Sequence, residues 1–197
     1  MNIHRFTEHC IFMLFILLMS PLLSAAEFSV TTTLDRIDIN PGDGLCASEE
    51  NECTLRAAVM ETNALSGADI INIPANTYAL LLDEAGDDTA AIRDLDIWDD
   101  LTIVGEDPTT TIITGNFNAF RIFNVFKRSD DSSPEVVFKN LTLTQGAGDG
   151  AVLYNNATAS LDNVTITNAS PDRSAVVNTY RLTVVKSLTL KESLARD

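Results

Sequence analysis

Histidine is almost missing from this chain. Only His4 and His9 occur in 197 residues, both ahead of a leading apolar run. Once that leader is removed no histidine remains, which excludes His-dependent triads and histidine metal sites. Cysteine is scarce as well, at positions 10, 46 and 53. No Gly-rich phosphate loop is present. Positive charge is in short supply: 13 Lys and Arg stand against 28 Asp and Glu, a formal net charge of -15. Such a surface repels phosphate backbones, so nucleic acid is not an expected partner, and anionic membranes are disfavoured for the same reason.

Hydrophobic residues make up 45% of the chain, enough for one core of ordinary size. The N-terminus reads as a targeting segment. His4, Arg5 and His9 form a weakly positive start, and Ile11 to Met19 an apolar stretch followed by Pro21. Ser24-Ala25-Ala26 puts small residues at both cleavage-determining positions, so a signal peptide over 1–26 is expected, cut before Glu27. The apolar run is shorter than the roughly 20 residues a spanning helix needs. Pro21 and the small residues favour cleavage over an uncleaved anchor, and Cys10 is not placed like a lipobox cysteine. The expectation is a secreted, extracellular or cell-surface protein with no membrane span in its mature form. Cys46 and Cys53 then remain, and an even count in an exported chain points to a disulfide. Closing so short a ring contributes roughly 2–3 kcal/mol on the chain-entropy estimate. A zinc site on the two thiols lacks further His or Cys ligands.

In the mature part, Phe28 to Thr33 alternates and is β-branched, as in a strand, and Asn40-Pro-Gly-Asp-Gly44 is a turn cluster. Thr54 is placed to cap a helix in which Leu55, Ala58, Val59 and Thr62 share one face and Ser66-Gly67 marks the end. From Ala68 the pattern changes to strands. An acidic stretch runs from Asp83 to Asp100.

An internal repeat carries most of the fold information. The unit apolar-Thr-apolar recurs as Leu101-Thr-Ile103, Leu141-Thr-Leu143, Val164-Thr-Ile166 and Leu188-Thr-Leu190, the last three spaced by 23 and 24 residues. A second strand precedes each of these, as Val136-Val-Phe138, Ala159-Ser-Leu161 and Thr183-Val-Val185. A third recurs as Ala151 to Tyr154 and Ala175 to Val177. Three short strands per period of this length suit a β-solenoid coil. Each coil would lie about 4.8 Å from the last, with parallel pairing and like residues stacked inward. Leu141, Val164 and Leu188 would form one inward column, and Leu143, Ile166 and Leu190 another, with the Thr between them facing out. Asn140, Asn163 and Ser187 stand one residue ahead of the unit and would form a structural polar ladder. Asn140, Asn156, Asn163 and Asn168 also fit the N-glycosylation pattern, but the repeat by itself explains Asn before Thr.

Four segments together resemble a known family: Asn40-Pro-Gly-Asp-Gly-Leu-Cys46, Glu52-Cys-Thr-Leu-Arg-Ala-Ala58, Glu61-Thr-Asn-Ala64 and Gly67-Ala-Asp-Ile-Ile-Asn-Ile-Pro74. They are similar to the CSLREA domain, the N-terminal module of many exported bacterial β-helix proteins. Its consensus string is matched by Cys53-Thr54-Leu55-Arg56-Ala57-Ala58, with Thr for Ser at 54 and Ala57 where the consensus has glutamate. The resemblance covers about residues 28–190. It implies an all-β fold: a short right-handed parallel β-helix of pectin-lyase-like type over 69–197, with residues 27–68 as an N-terminal cap holding one α-helix and the disulfide. It also implies a structural role for Arg56, bridging the cap helix to backbone carbonyls or to an acid. It says little about activity.

What chemistry remains is that of carboxylates. A β-helix lyase would need aspartates around calcium and a basic residue, and a glycosidase would need two carboxylates about 5–10 Å apart. On the coils Glu135, Asp149, Asp162 and Asp172 do not fall in one column, and Arg121, Lys139 and Arg181 stand singly. Asp94, Asp96, Asp99 and Asp100 are the best calcium candidates, with a solvated loop as the competing reading and Asp35, Asp38 and Asp43 as a weaker set. No resident cofactor is expected. The leading functional expectation is a non-catalytic surface module for adhesion or for contact with an extracellular glycan or surface protein. The alternative is a polysaccharide lyase or glycosidase, or a remnant of one. The charged tail after Leu190 would blunt an open end, or that end would pair with another chain.

Overall fold

The computed structural model describes residues 25–82, 90–115, 120–147, 151–169 and 174–191. Residues 1–24 of the expected 1–26 leader lie outside these, as do Asp83, Glu84, Asp87, Asp88, Asp149 and Asp172. The described chain is mostly β, with parallel sheets and a single α-helix. No helix among the described residues is long and apolar enough to cross a membrane.

Strand β1 (Glu27–Ser29) leads into a loop that returns to helix α1 (Leu55–Ala64). The helix starts where its first free N–H groups find a partner: Thr54 is extended, and its hydroxyl accepts from Ala57 N at 2.9 Å. A threonine cap of this kind contributes about 1 kcal/mol. Cys46 and Cys53 are joined, with Cα atoms 5.0 Å apart, which ties the incoming loop to the helix start. Glu61 is fully buried and accepts from Gly42 N and Gly44 N, both at 2.5 Å. The Asn40–Gly44 turn therefore docks on the helix. Gly42 has φ +95°, and a Cβ there would press on Ala64.

The remaining strands are β2 (Asp69–Ile73), β3 (Asn76–Ala79), β4 (Leu95–Ile97), β5 (Leu101–Gly105), β6 (Thr111–Thr114), β7 (Phe123–Val125), β8 (Glu135–Thr144), β9 (Leu153–Asn155), β10 (Thr158–Thr167), β11 (Val176–Asn178), β12 (Arg181–Val184) and β13 (Leu188–Lys191). Every pairing among the described residues is parallel. One sheet runs β1-β2-β5-β8-β10-β12, with β3-β6 joining β8 and β13 joining β10; the other runs β4-β7-β9-β11. The long strands β8 and β10 bend at Asn140 and Asn163, with φ of +53° and +57°. Before the bend they pair with β5 and β12; after it, with β6 and β13.

The core is a set of apolar columns. Phe28, Ile71, Ile103, Phe138 and Leu161 stack in one, each buried. Tyr78, Ile113, Leu143 and Ile166 form a second, and Leu95, Phe123 and Leu153 a third. Period-2 alternation turns Thr102 and Val137 away from this core while their neighbours face into it.

Three registers differ from those the sequence repeat predicts. Leu101-Thr-Ile103 pairs with Val136-Val-Phe138 and so belongs to the strand before the bend, while Thr111–Thr114 fills the place after it. Ala159 pairs with Leu182, not Thr183, because burial selects Leu182 to face the core; the extra residue is absorbed between β12 and β13. Leu153 pairs with Val176, one position from the register that aligns Ala151 with Ala175. Thr142 is also buried at 7% exposure, since the loop carrying Pro108 covers it and Pro108 O accepts its hydroxyl proton.

Candidate functional site

The chemically distinctive surface lies at the two ends of the four-stranded sheet. At the exit end, the residue after β4 is Trp98 and the residue after β7 is Phe126. Because Ile97 pairs with Val125, the next residues also fall side by side, and the two rings stack with centroids 4.1 Å apart and planes 3° from parallel. The following residues carry charge. Arg128 Nη2 donates to Asp99 and contacts Asp100 Oδ1 at 2.9 Å. Burial pulls the Arg128 guanidinium down, but its hydrogen bonds to Asp99 and Asp100 outweigh this and hold its pKa above the ordinary value. Lys127 lies 5.2 Å from the centre of the exposed Tyr180 ring and bonds Asp131 at 3.0 Å. At the entry end, Arg121 sits 3.2 Å from Asp94 and 4.9 Å from the Tyr154 ring centre.

The four calcium candidates are thus placed apart from one another in role. Asp94 pairs with Arg121. Asp96 is buried under α1, where its carbonyl accepts from Asn63 Nδ2 and its Oδ2 from Ala90 N at 3.4 Å. Asp99 and Asp100 share Arg128, and Asp100 Oδ1 also accepts from Glu135 N at 2.7 Å. Among the described residues no group of three or more His, Cys, Asp or Glu is placed to hold a metal ion. Of the weaker set, the Asp35 carboxylate is committed to Arg56, Leu81 N and Leu82 N, that of Asp38 to Asn40 N and Ala47 N, and Asp43 caps the Asn40 turn.

Asn163 Nδ2 donates to Asn140 Oδ1, and Ser187 Oγ donates to Asn163 Oδ1, both at 3.0 Å. Asn140 and Asn163 each occupy the bend that their own left-handed backbone creates. A second amide stack has no counterpart in the sequence reading: the buried Asn155 donates to Asn178 Oδ1 at 2.7 Å, to Ala157 O in the turn after β9, and to Arg181 O at the start of β12. Its neighbour Asn156, not Asn155, carries the glycosylation pattern. Arg56 is fully buried, bidentate to Asp35, and donates to Ala90 O and Arg93 O at 2.7 and 2.8 Å.

The aromatic and cationic edge escapes the repeat because its residues are 28 positions apart, a different period from the 23 and 24 of the later coils. The match of Leu95-Asp-Ile-Trp98 with Phe123-Asn-Val-Phe126 was the available signal. Two further clefts are lined by none of the residues of this edge. One of about 440 Å³ lies between the cap and Leu82, Ala91 and Ile92, with the Arg36–Glu50 ion pair at its side. Another of about 310 Å³ is lined by Thr31, Thr32, Thr33 and Asn76 beside Tyr78. No family model, no curated protein and no solved structure matches the chain.

Proposed function

We propose that this chain is an exported, non-catalytic module that holds neutral extracellular glycan on the Trp98–Phe126 edge. The observation that carries this reading is the ring pair flanked by Arg128, Asp99 and Asp100, with Lys127 and Tyr180 beyond it. Flat rings offer apolar faces to sugar C–H groups, and fixed guanidinium and carboxylate groups meet sugar hydroxyls as donors and acceptors. The net charge of -15 opposes polyanionic chains, so the ligand is uncharged. The acids on this edge are held by arginine instead of facing each other across a gap for water or a sugar, which supports binding over hydrolysis.

The architecture belongs to the same proposal. All-parallel pairing, bends at matched asparagines and columns that recur with each return of the chain support a short right-handed parallel β-helix. The cap with its disulfide and its Arg56 anchor supports a CSLREA-like lid. The disulfide also suits an oxidising compartment.

The test is a screen of neutral oligosaccharides by calorimetry, with Trp98→Ala as the comparison. We expect retention of at least one glycan and about tenfold weaker binding by the variant, in keeping with about 1–2 kcal/mol for a lost ring contact. Binding unchanged by Trp98→Ala would remove the site. Depolymerisation of pectin or alginate with calcium present, abolished by substituting Asp94 or Asp99, would replace binding by catalysis.

A further inference from the structure

Asp69 opens β2 and is buried at 1% exposure, next to the point where the mature chain enters the fold. Its Oδ1 accepts from Ala26 N at 2.7 Å, while its Oδ2 has no hydrogen-bond partner. Ala26 is also held through its carbonyl, which accepts from Ile70 N at 2.9 Å. A carboxylate so placed is poorly served by a single peptide N–H. Burial pushes the Asp69 carboxyl up, the Ala26 N–H partly offsets this, and the charge of Asp99 adds to it. Ala25, immediately before, is exposed.

These contacts bear on where the leader is removed. A cut before Glu27, as the small-residue pattern suggests, would take away the Ala26 N–H that serves Asp69 Oδ1 and the acceptor of Ile70 N. That would leave a buried carboxylate and a backbone N–H both unsatisfied, each costly. A cut one residue earlier does the opposite. An α-ammonium at Ala26 keeps the existing hydrogen bond, brings two further donors for Oδ2, and supplies the positive charge that the buried carboxylate lacks.

We propose that the peptide bond between Ala25 and Ala26 is the processing site, and that Asp69 is the receptor for the new α-ammonium of Ala26. A leader-removing peptidase of the export route adds water across that bond; Ala25 leaves as a carboxylate and Ala26 keeps the amine, protonated. This rests on the export reading of the proposed function. The new charge adds to the pairing that β1 already makes with β2.

The full chain is expressed with its leader in an exporting bacterial host, and the mature N-terminus is read by mass spectrometry. The α-amine is then acylated near pH 6.5, below the range in which lysines react, in native and urea-unfolded protein. We expect a chain starting at Ala26 whose α-amine labels about tenfold more slowly when native. Asp69→Asn should lose most of that protection. Should this variant fail to fold, the native-to-unfolded comparison of the unsubstituted protein still decides. A start at Glu27 or any other residue, or equal labelling in the two states, overturns the inference. A chain that keeps its leader overturns the export reading itself, and with it this inference.

Discussion

Arg56 and Asp35 show how much one ion pair can organise. Both side chains are buried, at 0% and 2% exposure. Asp35 Oδ2 also accepts from Leu81 N and Leu82 N, at 2.6 and 2.9 Å, while Arg56 reaches the carbonyls of Ala90 and Arg93. One pair thus joins the entry loop, α1 and the chain on both sides of residues 83–89. Removing one partner strands the other charge in the core. Asp35→Ala should therefore cost about 3–5 kcal/mol in urea unfolding, and the double substitution Asp35→Leu with Arg56→Met should recover much of that loss. A single substitution costing under about 1 kcal/mol would show that the pair is not anchoring the cap. The resemblance to CSLREA implied a bridging role for Arg56; Asp35 as its partner could not be picked from the 28 acids by sequence alone.

At the scale of elements, α1 was legible because its signals are local. The Thr54 cap and the apolar face from Leu55 to Thr62 lie within three turns. Strand register was harder. A shift by one residue changes which side chains face the core, and only burial shows that Leu182 replaces Thr183 opposite Ala159. Gly105 marks the level where β5 passes the bend of β8. A Cβ at this position would stand 2.3 Å from Asn140 O and 3.0 Å from Thr111 Cβ. Backbone cannot move aside as a flexible side chain does, so Gly105→Ala should destabilise by about 1–3 kcal/mol, read from the urea midpoint. At Gly44 an added methyl would meet no atom within 4 Å, but φ of +86° would penalise it through backbone strain instead. An unchanged midpoint for Gly105→Ala would mean that β5 and β8 separate there at little cost.

For the whole molecule, the columns end unevenly. At the β1 side Phe28 and Ile71 are buried in one apolar cluster with Leu55, Ala58 and Val59 of α1. At the other side β12 and β13 have a strand partner on one face only among the described residues, and Val184, Val185 and Leu190 are 48%, 61% and 66% exposed. Unpaired parallel edges with apolar side chains recruit further strands. We expect concentration-dependent self-association in sedimentation, abolished by Val184→Lys with Leu190→Lys. A monomer at all concentrations in the unsubstituted protein would show that this edge is already covered. The same scale explains why the candidate site was not visible beforehand. Trp98, the Phe126–Arg128 segment and Tyr180 come from different returns of the chain, and only the stacking of those returns places them together.

Local chemistry in the sequence was sufficient for the helix and its cap, for the disulfide between Cys46 and Cys53, and for parallel stacking of the units around Leu141, Val164 and Leu188. Each of these depends on neighbours in sequence or on a period that the residues themselves repeat. The tertiary structure decided the registers of β5, β11 and β12, the partner of Arg56, the separation of Asp94 and Asp96 from the Asp99 and Asp100 pair that shares Arg128, and the aromatic edge. Those depend on which residues of one return come to rest beside which residues of the next, and unequal loop lengths between returns erase that information from any fixed spacing.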